Sequence, residues 1–361
     1  MHTREHKRAL IAMSGGVDSS VTAALMMEEG YDCIGANMRL FSAPEAAVTT
    51  KSCCSIADAL DARRVADSMG MPFYVLHYVE EFHKEVIDKF VRCYLAGITP
   101  NPCIDCNRHL KFTHLLEAAR EHGCETLATG HYARIEYNED SGRYELLKAK
   151  DPARDQSYVL YMLTQEQLSH IRFPLGGRMK ADVRALAEEY GFVNAQKPDS
   201  QDICFVPDGR HARFIEDYLQ KKSAPGNFVD RDGNILGRHE GIIRYTTGQR
   251  KGLGISSTEP YYVTDIRPET NEVVLGRKED VRGKELIAFD FNWLSVPVPA
   301  GEIRAKAKIR YRFKEADCTA KVLTDGRVQV SFDEAQPAIT KGQAVVLYDE
   351  DRVLGGGTIL R

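Results

Sequence analysis

The 361-residue chain reads as an α/β doubly wound parallel sheet at its N-terminal end, followed by a small, mostly β middle domain and a C-terminal β-barrel. Three observations predict this. From Lys7 to about Gly130, short apolar runs alternate with longer stretches of helical periodicity, the pattern of strands joined by crossover helices. After Cys204 the alternation stops, and glycines and prolines break the chain into short pieces. Beyond about Gly283, strand-length runs recur at the close spacing of a small barrel or sandwich. The expected boundaries are 1–203, 204–283 and 284–361.

Residues 9–13 form the first expected strand, apolar and followed by glycine, and the helix after Ser19 carries its pattern to Glu28. A strand at 31–38, a helix at 55–69, a strand at 73–77, helices at 81–95 and 109–122 and a strand at 126–128 continue the alternation. Residues 132–148, broken at Asp140-Ser141-Gly142, predict a hairpin, and 178–190 a further helix. The middle region offers one helix, 211–219, among turns at Pro225-Gly226, Asp232-Gly233 and 248–254. The last strands are read at 286–294, 303–313, 318–323, 328–332 and 344–348. In a doubly wound sheet ligands sit beyond the carboxyl ends of the strands, where Ser14, Met38 and Gly130 fall.

Hydrophobic residues make up 43% and charged residues 28%, as in a soluble globular chain. No run approaches the roughly 18 apolar residues of a membrane helix, and the opening residues are too charged for a secretory signal, so a cytoplasmic protein with no membrane partner is expected. Nine cysteines, an odd number, argue against a structural disulfide framework and raise the question of reactive or metal-binding thiols. The formal net charge of -4 argues against coating nucleic acid through bulk positive charge, while leaving room for a local basic track.

Ser14-Gly15-Gly16-Val17-Asp18-Ser19-Ser20 lies between the first strand and the first helix, so backbone N–H groups and a helix N-terminus converge on one small volume suited to phosphate. No lysine follows Gly16 until Lys51, which argues against a kinase-type loop and γ-phosphate hydrolysis. The glycines are adjacent and followed by Asp18, which argues against a dinucleotide fingerprint. The heptad resembles the PP-loop, SGGxDSS, of ATP pyrophosphatases, which bind the pyrophosphate end of ATP and attach AMP to an acceptor. Mg²⁺ offsetting pyrophosphate charge, with Asp18 as its partner, belongs to that expectation.

Thr99-Pro100-Asn101-Pro102-Cys103-Ile104-Asp105-Cys106-Asn107 is the second informative segment. Its two prolines predict an extended, rigid loop displaying the thiols just before a helix near His109, and Arg108 and Lys111 would lower a thiol pKa there. Cys33, Cys93, Cys124 and Cys318 are read as small buried hydrophobes, and Cys53-Cys54 has no assigned role. His131 would shape the nucleotide pocket or serve as a hydrogen-bonded structural histidine.

Together with the PP-loop, Asn101-Pro102-x-x-x-Cys106-Asn107, Ala128-Thr129-Gly130-His131-Tyr132, Asp155-Gln156-Ser157-Tyr158, Ile203-Cys204-Phe205 and Thr247-Gly248-Gln249-Arg250-Lys251-Gly252-Leu253-Gly254 stand in the order found in tRNA-specific 2-thiouridylases, and the resemblance runs nearly end to end. It implies that ATP adenylates the C2 oxygen of the wobble uridine (position 34) of tRNA and that a cysteine persulfide supplies the sulfur. It makes Cys204 the persulfide carrier and Cys106 its nucleophilic partner, with a disulfide between them during turnover. It assigns ATP to Ala12, Met13, Ser14, Gly15, Gly16, Val17, Asp18, Ser19, Met38 and Gly130. The target base falls to Asn101, Pro102 and Cys103, and the tRNA to Arg154, Asp155, Gln156, Arg310 and Tyr311. The implied partners are a tRNA with a wobble uridine and a persulfide donor, either a cysteine desulfurase or a sulfur-relay protein.

The chemistry is coherent without the name. A uridine C2 carbonyl is a poor electrophile with a bad leaving oxygen; adenylation supplies AMP as leaving group, which a polarisable sulfur nucleophile can displace. The chain departs from the family at one place: many members carry aspartate, thought to assist proton transfer at the base, where Cys103 stands. The substitution creates Cys103-x-x-Cys106, which with Cys204 gives three thiolates and the alternative of sulfur transfer by an iron–sulfur cluster; zinc would normally want a fourth ligand. A redox-sensing RNA-binding protein without turnover and another PP-loop ligase, which would need an ammonia source, are readings of other classes.

Arg304, Lys306, Lys308, Arg310, Arg312 and Lys314 alternate with Ala305, Ala307, Ile309, Tyr311 and Phe313. On one strand this period-two pattern would set six cations on one face as a phosphate-binding ridge, or simply form the solvated face of a half-buried strand.

Overall fold

The structure, a computed structural model, describes residues 7–41, 56–199, 203–206 and 209–361; Cys53, Cys54, Ser200, Gln201 and Asp202 lie outside the described residues. In chain order the elements begin with β1 (Arg8–Ala12), α1 (Val17–Glu28), β2 (Asp32–Arg39), α2 (Ile56–Ser68) and β3 (Phe73–His77). The helix expected at 81–95 is α3 (Val79–Phe82), a wider π-helical stretch His83–Ile87 and α4 (Asp88–Leu95). Then come α5 (Pro102–Asp105), a π-helical run Cys106–His114, α6 (Leu115–Glu121), β4 (Thr126–Ala128), and the hairpin β5 (Arg134–Asn138) and β6 (Arg143–Leu147). The first stretch closes with α7 (Gln165–His170), β7 (Ile171–Arg172) and α8 (Lys180–Glu189).

The chain divides into two compact units, the first made of residues up to Val86, Cys103–Gly209 and Asp351–Val353, the second of Ile87–Pro102, Arg210–Glu350 and Leu354–Arg361. In the first, five strands form a sheet in the order β3-β2-β1-β4-β7, and every pair is parallel. Alternate residues of β1 explain its layers. Ala9 and Ile11 are buried in one cluster with Val21 and Leu25 of α1, Ala62 and Val65 of α2, and Val183 and Ala187 of α8. Leu10, just as buried, points to the other face, and α6 packs against β1 and β4. A strand buried on both faces is what the unbroken apolar run of β1 foretells.

The second unit holds α9 (His211–Leu219) and a four-stranded sheet of β8 (Gly226–Val229), β9 (Ile235–His239), β10 (Tyr262–Arg267) and β11 (Glu272–Gly276) in the order β10-β11-β8-β9. Phe228, Tyr245, Val263, Val273 and Leu275 form its core. It also holds β12 (Arg282–Trp293), β13 (Ile303–Lys308), β14 (Ala316–Val322), β15 (Val328–Pro337), β16 (Ala344–Asp349) and β17 (Arg352–Ile359), the last beginning in the first unit. Their order is β12-β15-β14-β13-β16-β17, and β12 pairs back onto β17 through Ala288↔Ile359, closing a six-stranded barrel that leaves no free edge.

Three expectations are corrected. The first helix begins at Val17, before Ser19, because Ser19 and Ser20 do not cap it: their hydroxyls donate inward to the Gly16 carbonyl at 2.9 and 3.2 Å. The segment before Cys106 is helical from Pro102, since proline lacks the N–H that the first helical position leaves unused and its φ is already set for a helix. The strand expected at 303–313 stops at Lys308, and residues 309–313 turn, with Phe313 N–H donating to the Arg310 carbonyl at 3.1 Å. The six-cation ridge is therefore three long on the strand: Arg304, Lys306 and Lys308.

Candidate active site

The glycine loop is shaped by what surrounds it. Gly15 adopts φ +79°, and a Cβ there would lie 2.1 Å from the Asp58 carbonyl oxygen, so the loop admits only glycine at this point. Its own carbonyl accepts from Asn194 Nδ2 at 3.0 Å and from Lys197 Nζ at 3.2 Å. Lys197 is itself held by Asp58 at 2.5 Å and Asp61 at 2.8 Å. The far side is set by Gly130, where a Cβ would come within 3.1 Å of the Asp18 carbonyl carbon and the Ser19 nitrogen. Gly130 thus lets the chain after β4 close over the start of α1.

Helix α1 has Gly16 at its N-cap and no side-chain cap. The positive end of its dipole, with the first-turn N–H groups, is directed at the carboxyl edge of the sheet. Ser14 is exposed there, its N–H donating to Ser19 Oγ at 3.2 Å. Met13 is buried and bonds to the Ala36 carbonyl at 2.8 Å, and Asn37 Nδ2 donates to the Met13 carbonyl at 2.7 Å, tying the loop to β2, on which Met38 is half-buried. Ser14, Asp18 and Gly130 thus meet around one helix terminus.

Asp18 is the most engaged side chain of the loop. Lys180, buried at the start of α8, reaches its two carboxylate oxygens at 2.7 and 2.8 Å, and the Tyr132 hydroxyl donates to Oδ1 at 2.8 Å. Burial first, then the Asp18 charge and hydrogen bond, push the Tyr132 pKa far up, so the phenol remains a donor. Lys180 also bonds Asp199 at 2.9 Å, and Asp199 is further held by Arg154 at 2.8 Å and Arg184 at 2.9 Å. Sequence reading missed Lys180, Asn194 and Lys197, which come to the loop from far along the chain with no local motif to announce them.

His131 is fully buried, its Nδ1 2.6 Å from Thr129 Oγ1, and burial followed by the nearby Lys111 charge keeps it neutral. That bond and burial fit a structural histidine. Asp155 accepts from the Ala149 and Ser157 N–H groups at 3.0 and 3.2 Å, and Gln156 exchanges hydrogen bonds of 2.9 Å in both directions with the Tyr132 backbone. These two residues fix the segment that carries Tyr132 beside Asp18.

The thiols separate by exposure. Cys33, Cys124 and Cys318 are buried, and burial raises all three pKa values, to about 12 for Cys33 and Cys318, so they are poor nucleophiles. Cys106 and Cys204 are half-buried, as is Cys93, which was expected to be buried, and Cys103 is exposed. Cys106 opens the π-helical run that packs against α3, where Tyr78 also donates to the His114 carbonyl at 3.2 Å. Cys204 lies in a turn whose next residue, Phe205, meets Phe82 of α3 edge to face at 5.7 Å. Both cysteine segments therefore lean on one short helix. Among the described residues no three His, Cys, Asp or Glu side chains gather to hold a metal, so the arrangement does not favour the cluster alternative.

In the second unit Arg310 is turned inward, donating to the Thr247 carbonyl at 2.8 Å and to Thr340 Oγ1 at 2.5 Å, while Tyr311 is exposed. Arg304 pairs twice with Asp333, at 2.8 and 2.7 Å. Asn101 and Pro102 also belong to this unit. The Thr99 N–H bonds the Lys341 carbonyl at 3.0 Å, and Gln343 Nε2 bonds the Thr99 carbonyl at 3.0 Å, just ahead of them.

Comparison with known proteins matches residues 7–208 to the tRNA methyl transferase HUP domain, residues 212–277 to the tRNA methyl transferase PRC-barrel domain and residues 283–359 to the aminomethyltransferase beta-barrel domain. The tRNA-specific 2-thiouridylase MnmA of Acetivibrio thermocellus is 50% identical over 357 residues, 98% of this chain and 99% of that protein. The proteins of the same name from Clostridioides difficile, 49% identical over 354 residues, and Geobacter metallireducens, 50% identical over 364 residues, each cover 98% of their own length and 98% and 99% of this chain. With half of its residues shared along nearly its whole length, the chain belongs to the tRNA-specific 2-thiouridylase family.

Proposed function

We propose that this chain is a tRNA-uridine 2-sulfurtransferase, which uses ATP to convert the wobble uridine (position 34) of tRNA to 2-thiouridine. One observation supports it above the others: an uncapped helix N-terminus, shaped by Gly15 and Gly130, lies in the same unit as three accessible thiols, Cys103, Cys106 and Cys204. The triphosphate of ATP would rest on the first-turn N–H groups of α1, with Ser14, Met38 and Gly130 around it.

The uridine O2 attacks the α-phosphorus of ATP, and pyrophosphate leaves. The terminal sulfur of a Cys204 persulfide then attacks C2, and AMP departs with the former O2. Cys106 attacks Cys204 Sγ, the S–S bond breaks, and its electron pair stays on the sulfur now attached to C2 as the thiocarbonyl. The product disulfide is reopened by a cellular thiol. The persulfide on Cys204 is supplied by a sulfur donor of the desulfurase or relay type, and the cytoplasm is the compartment this chemistry suits. Among the described residues no helix is long and apolar enough to cross a membrane.

For Mg²⁺, the glycine loop offers one carboxylate, Asp18, whose oxygens already serve Lys180 and Tyr132. That donor set fits an ion carried mainly by the ATP phosphates, with Asp18 reaching it directly or through water, and the ion would offset pyrophosphate charge. Asn101, Pro102 and Cys103 are assigned to the target base, and Arg154 and Tyr311 to the tRNA backbone. We assign Asp155, Gln156 and Arg310 to the tRNA region as well, where their intramolecular bonds make them shapers of that surface. The boundaries 1–203, 204–283 and 284–361 are our domain division.

The test is incubation with ATP, Mg²⁺, unmodified wobble-uridine tRNA and a persulfide donor, followed by nucleoside mass analysis. A gain of one sulfur for one oxygen at uridine 34, with AMP and pyrophosphate formed in step, is expected. AMP formation without sulfur incorporation, or sulfur at another base, contradicts the reading.

A further inference from the structure

Four charged side chains of the first unit form an unbroken chain: Arg154 to Asp199 at 2.8 Å, Asp199 to Lys180 at 2.9 Å, and Lys180 to Asp18 at 2.7 Å. The two ends differ in exposure and in expected partner. Arg154 is the most open member, at 38% side-chain exposure, whereas Lys180 at 10% and Asp199 at 15% are largely enclosed. Asp18 belongs to the loop that shapes the phosphate cradle. The two interior members are each shared, so neither can strengthen one bond without weakening the other. Lys180 has one ammonium group divided between two carboxylates, and Asp199 divides its charge among Lys180, Arg154 and Arg184.

We propose that Asp199 is a positioning residue that couples tRNA engagement at Arg154 to the state of Asp18 in the ATP cradle, through Lys180. This rests on the functional reading above, in which Arg154 meets tRNA and Asp18 serves the nucleotide. When an RNA phosphate draws the Arg154 guanidinium away, Asp199 loses one cation and holds Lys180 more strongly. Lys180 then holds Asp18 less, freeing the carboxylate for the ATP-bound ion. Burial alone would raise the Asp199 pKa, yet the Lys180 hydrogen bond and the charges of Lys180, Arg154 and Arg184 hold it below the usual value, so the middle of the chain is ionised at neutral pH. Partly enclosed charges feel one another with little screening, which is the condition for such a relay.

Because linkage is reciprocal, ATP and tRNA must change each other's affinity by the same factor, and couplings of this kind are typically about 5- to 150-fold. The experiment measures equilibrium binding of a non-hydrolysable ATP analogue, with Mg²⁺, to the full chain with and without saturating tRNA, and of tRNA with and without the analogue. Wild type should show at least about fivefold tightening in both directions. In Asp199→Asn the coupling factor, taken as the ratio of each ligand's affinities with and without the other, should fall to nearly one whatever the affinity for either ligand alone; Asp199→Glu, which restores the charge, should recover most of it. A wild-type factor of one overturns the proposal without any variant, and so does an Asp199→Asn protein with the wild-type factor. If wild type couples the two ligands yet makes no 2-thiouridine, the functional reading fails instead.

Discussion

The hydroxyl of Tyr132 stands 2.8 Å from Oδ1 of Asp18, across 114 residues of sequence. The bond joins the loop after β4 to the first turn of α1, and Lys180 completes the grip on the same carboxylate. A negatively charged side chain at the mouth of a phosphate site would repel its ligand unless something oriented and partly neutralised it. Tyr132 and Lys180 do both in the absence of the nucleotide, whose own cation would take over the neutralisation on binding.

Replacing Tyr132 with phenylalanine keeps the ring and removes the donor. A hydrogen bond to a charged group contributes about 1.5–3 kcal/mol, and a loss of about 1.4 kcal/mol at the transition state is about tenfold in rate. Tyr132→Phe should therefore lower tRNA-dependent pyrophosphate release by about 10-fold or more with little change in the far-ultraviolet circular dichroism. Unchanged release would remove the hydroxyl from the mechanism.

Gly15→Ala should be far more damaging than its size suggests. The new methyl would have to occupy the place of the Asp58 carbonyl, in a left-handed conformation that costs about 1–2 kcal/mol on its own. Loss of nucleotide binding, read by calorimetry, and a lowered melting temperature are expected. Gly177→Ala, where a Cβ meets nothing within 4 Å, is the control that should retain binding.

The first unit was the most legible part of the sequence. Apolar runs near glycines announced β1 to β4 but not β7, which is only two residues long; β1 is buried on both faces and so reads as an unbroken run, whereas edge strand β3 leaves Tyr74 and Val75 exposed. The short helix α7 was missed although its start is written locally: Thr164 accepts from the Gln167 N–H at 3.1 Å and Gln167 Oε1 accepts from the Thr164 N–H at 3.0 Å, a reciprocal cap of the T-x-x-Q type. Pro102 was read as a helix breaker, but proline breaks a helix only in its interior and is well suited to its first turn. Of the site, the glycine loop and the cysteines were visible because local spacing carries their chemistry. Lys180, Asn194 and Lys197 were not, because their roles exist only once α8 and the chain after it have packed against α1.

Asp199 gives the first unit a defined response to acid. Its pKa is held below the ordinary 3.8, so its contribution to stability is complete above that value and is lost as pH falls through the lower, folded-state value. Asp199→Asn should destabilise the protein by about 2 kcal/mol at neutral pH. The gap between variant and wild type in chemical denaturation should close progressively below pH 3.8. A gap that stayed constant with pH would show that the carboxylate's charge contributes nothing.

Two cations of the barrel should behave oppositely. Arg310 is held by Thr247 and Thr340, so Arg310→Ala should lower the melting temperature by several degrees, in keeping with a loss of about 2 kcal/mol. Lys306 is exposed on β13, and Lys306→Ala should leave stability unchanged while reducing the slope of log affinity for tRNA against log salt by about one unit. Equal slopes for wild type and Lys306→Ala would take the strand out of the tRNA interface.

The most direct measurement follows radiolabelled sulfur from a persulfide donor into protein and then into tRNA, in wild type, Cys204→Ala and Cys106→Ala, with ATP present. Wild type should pass label to uridine 34, Cys204→Ala should carry no transferable label and make no 2-thiouridine, and Cys106→Ala should acquire label on Cys204 but fail to complete delivery. Undiminished 2-thiouridine from Cys204→Ala would contradict the assignment of that thiol as the sulfur carrier.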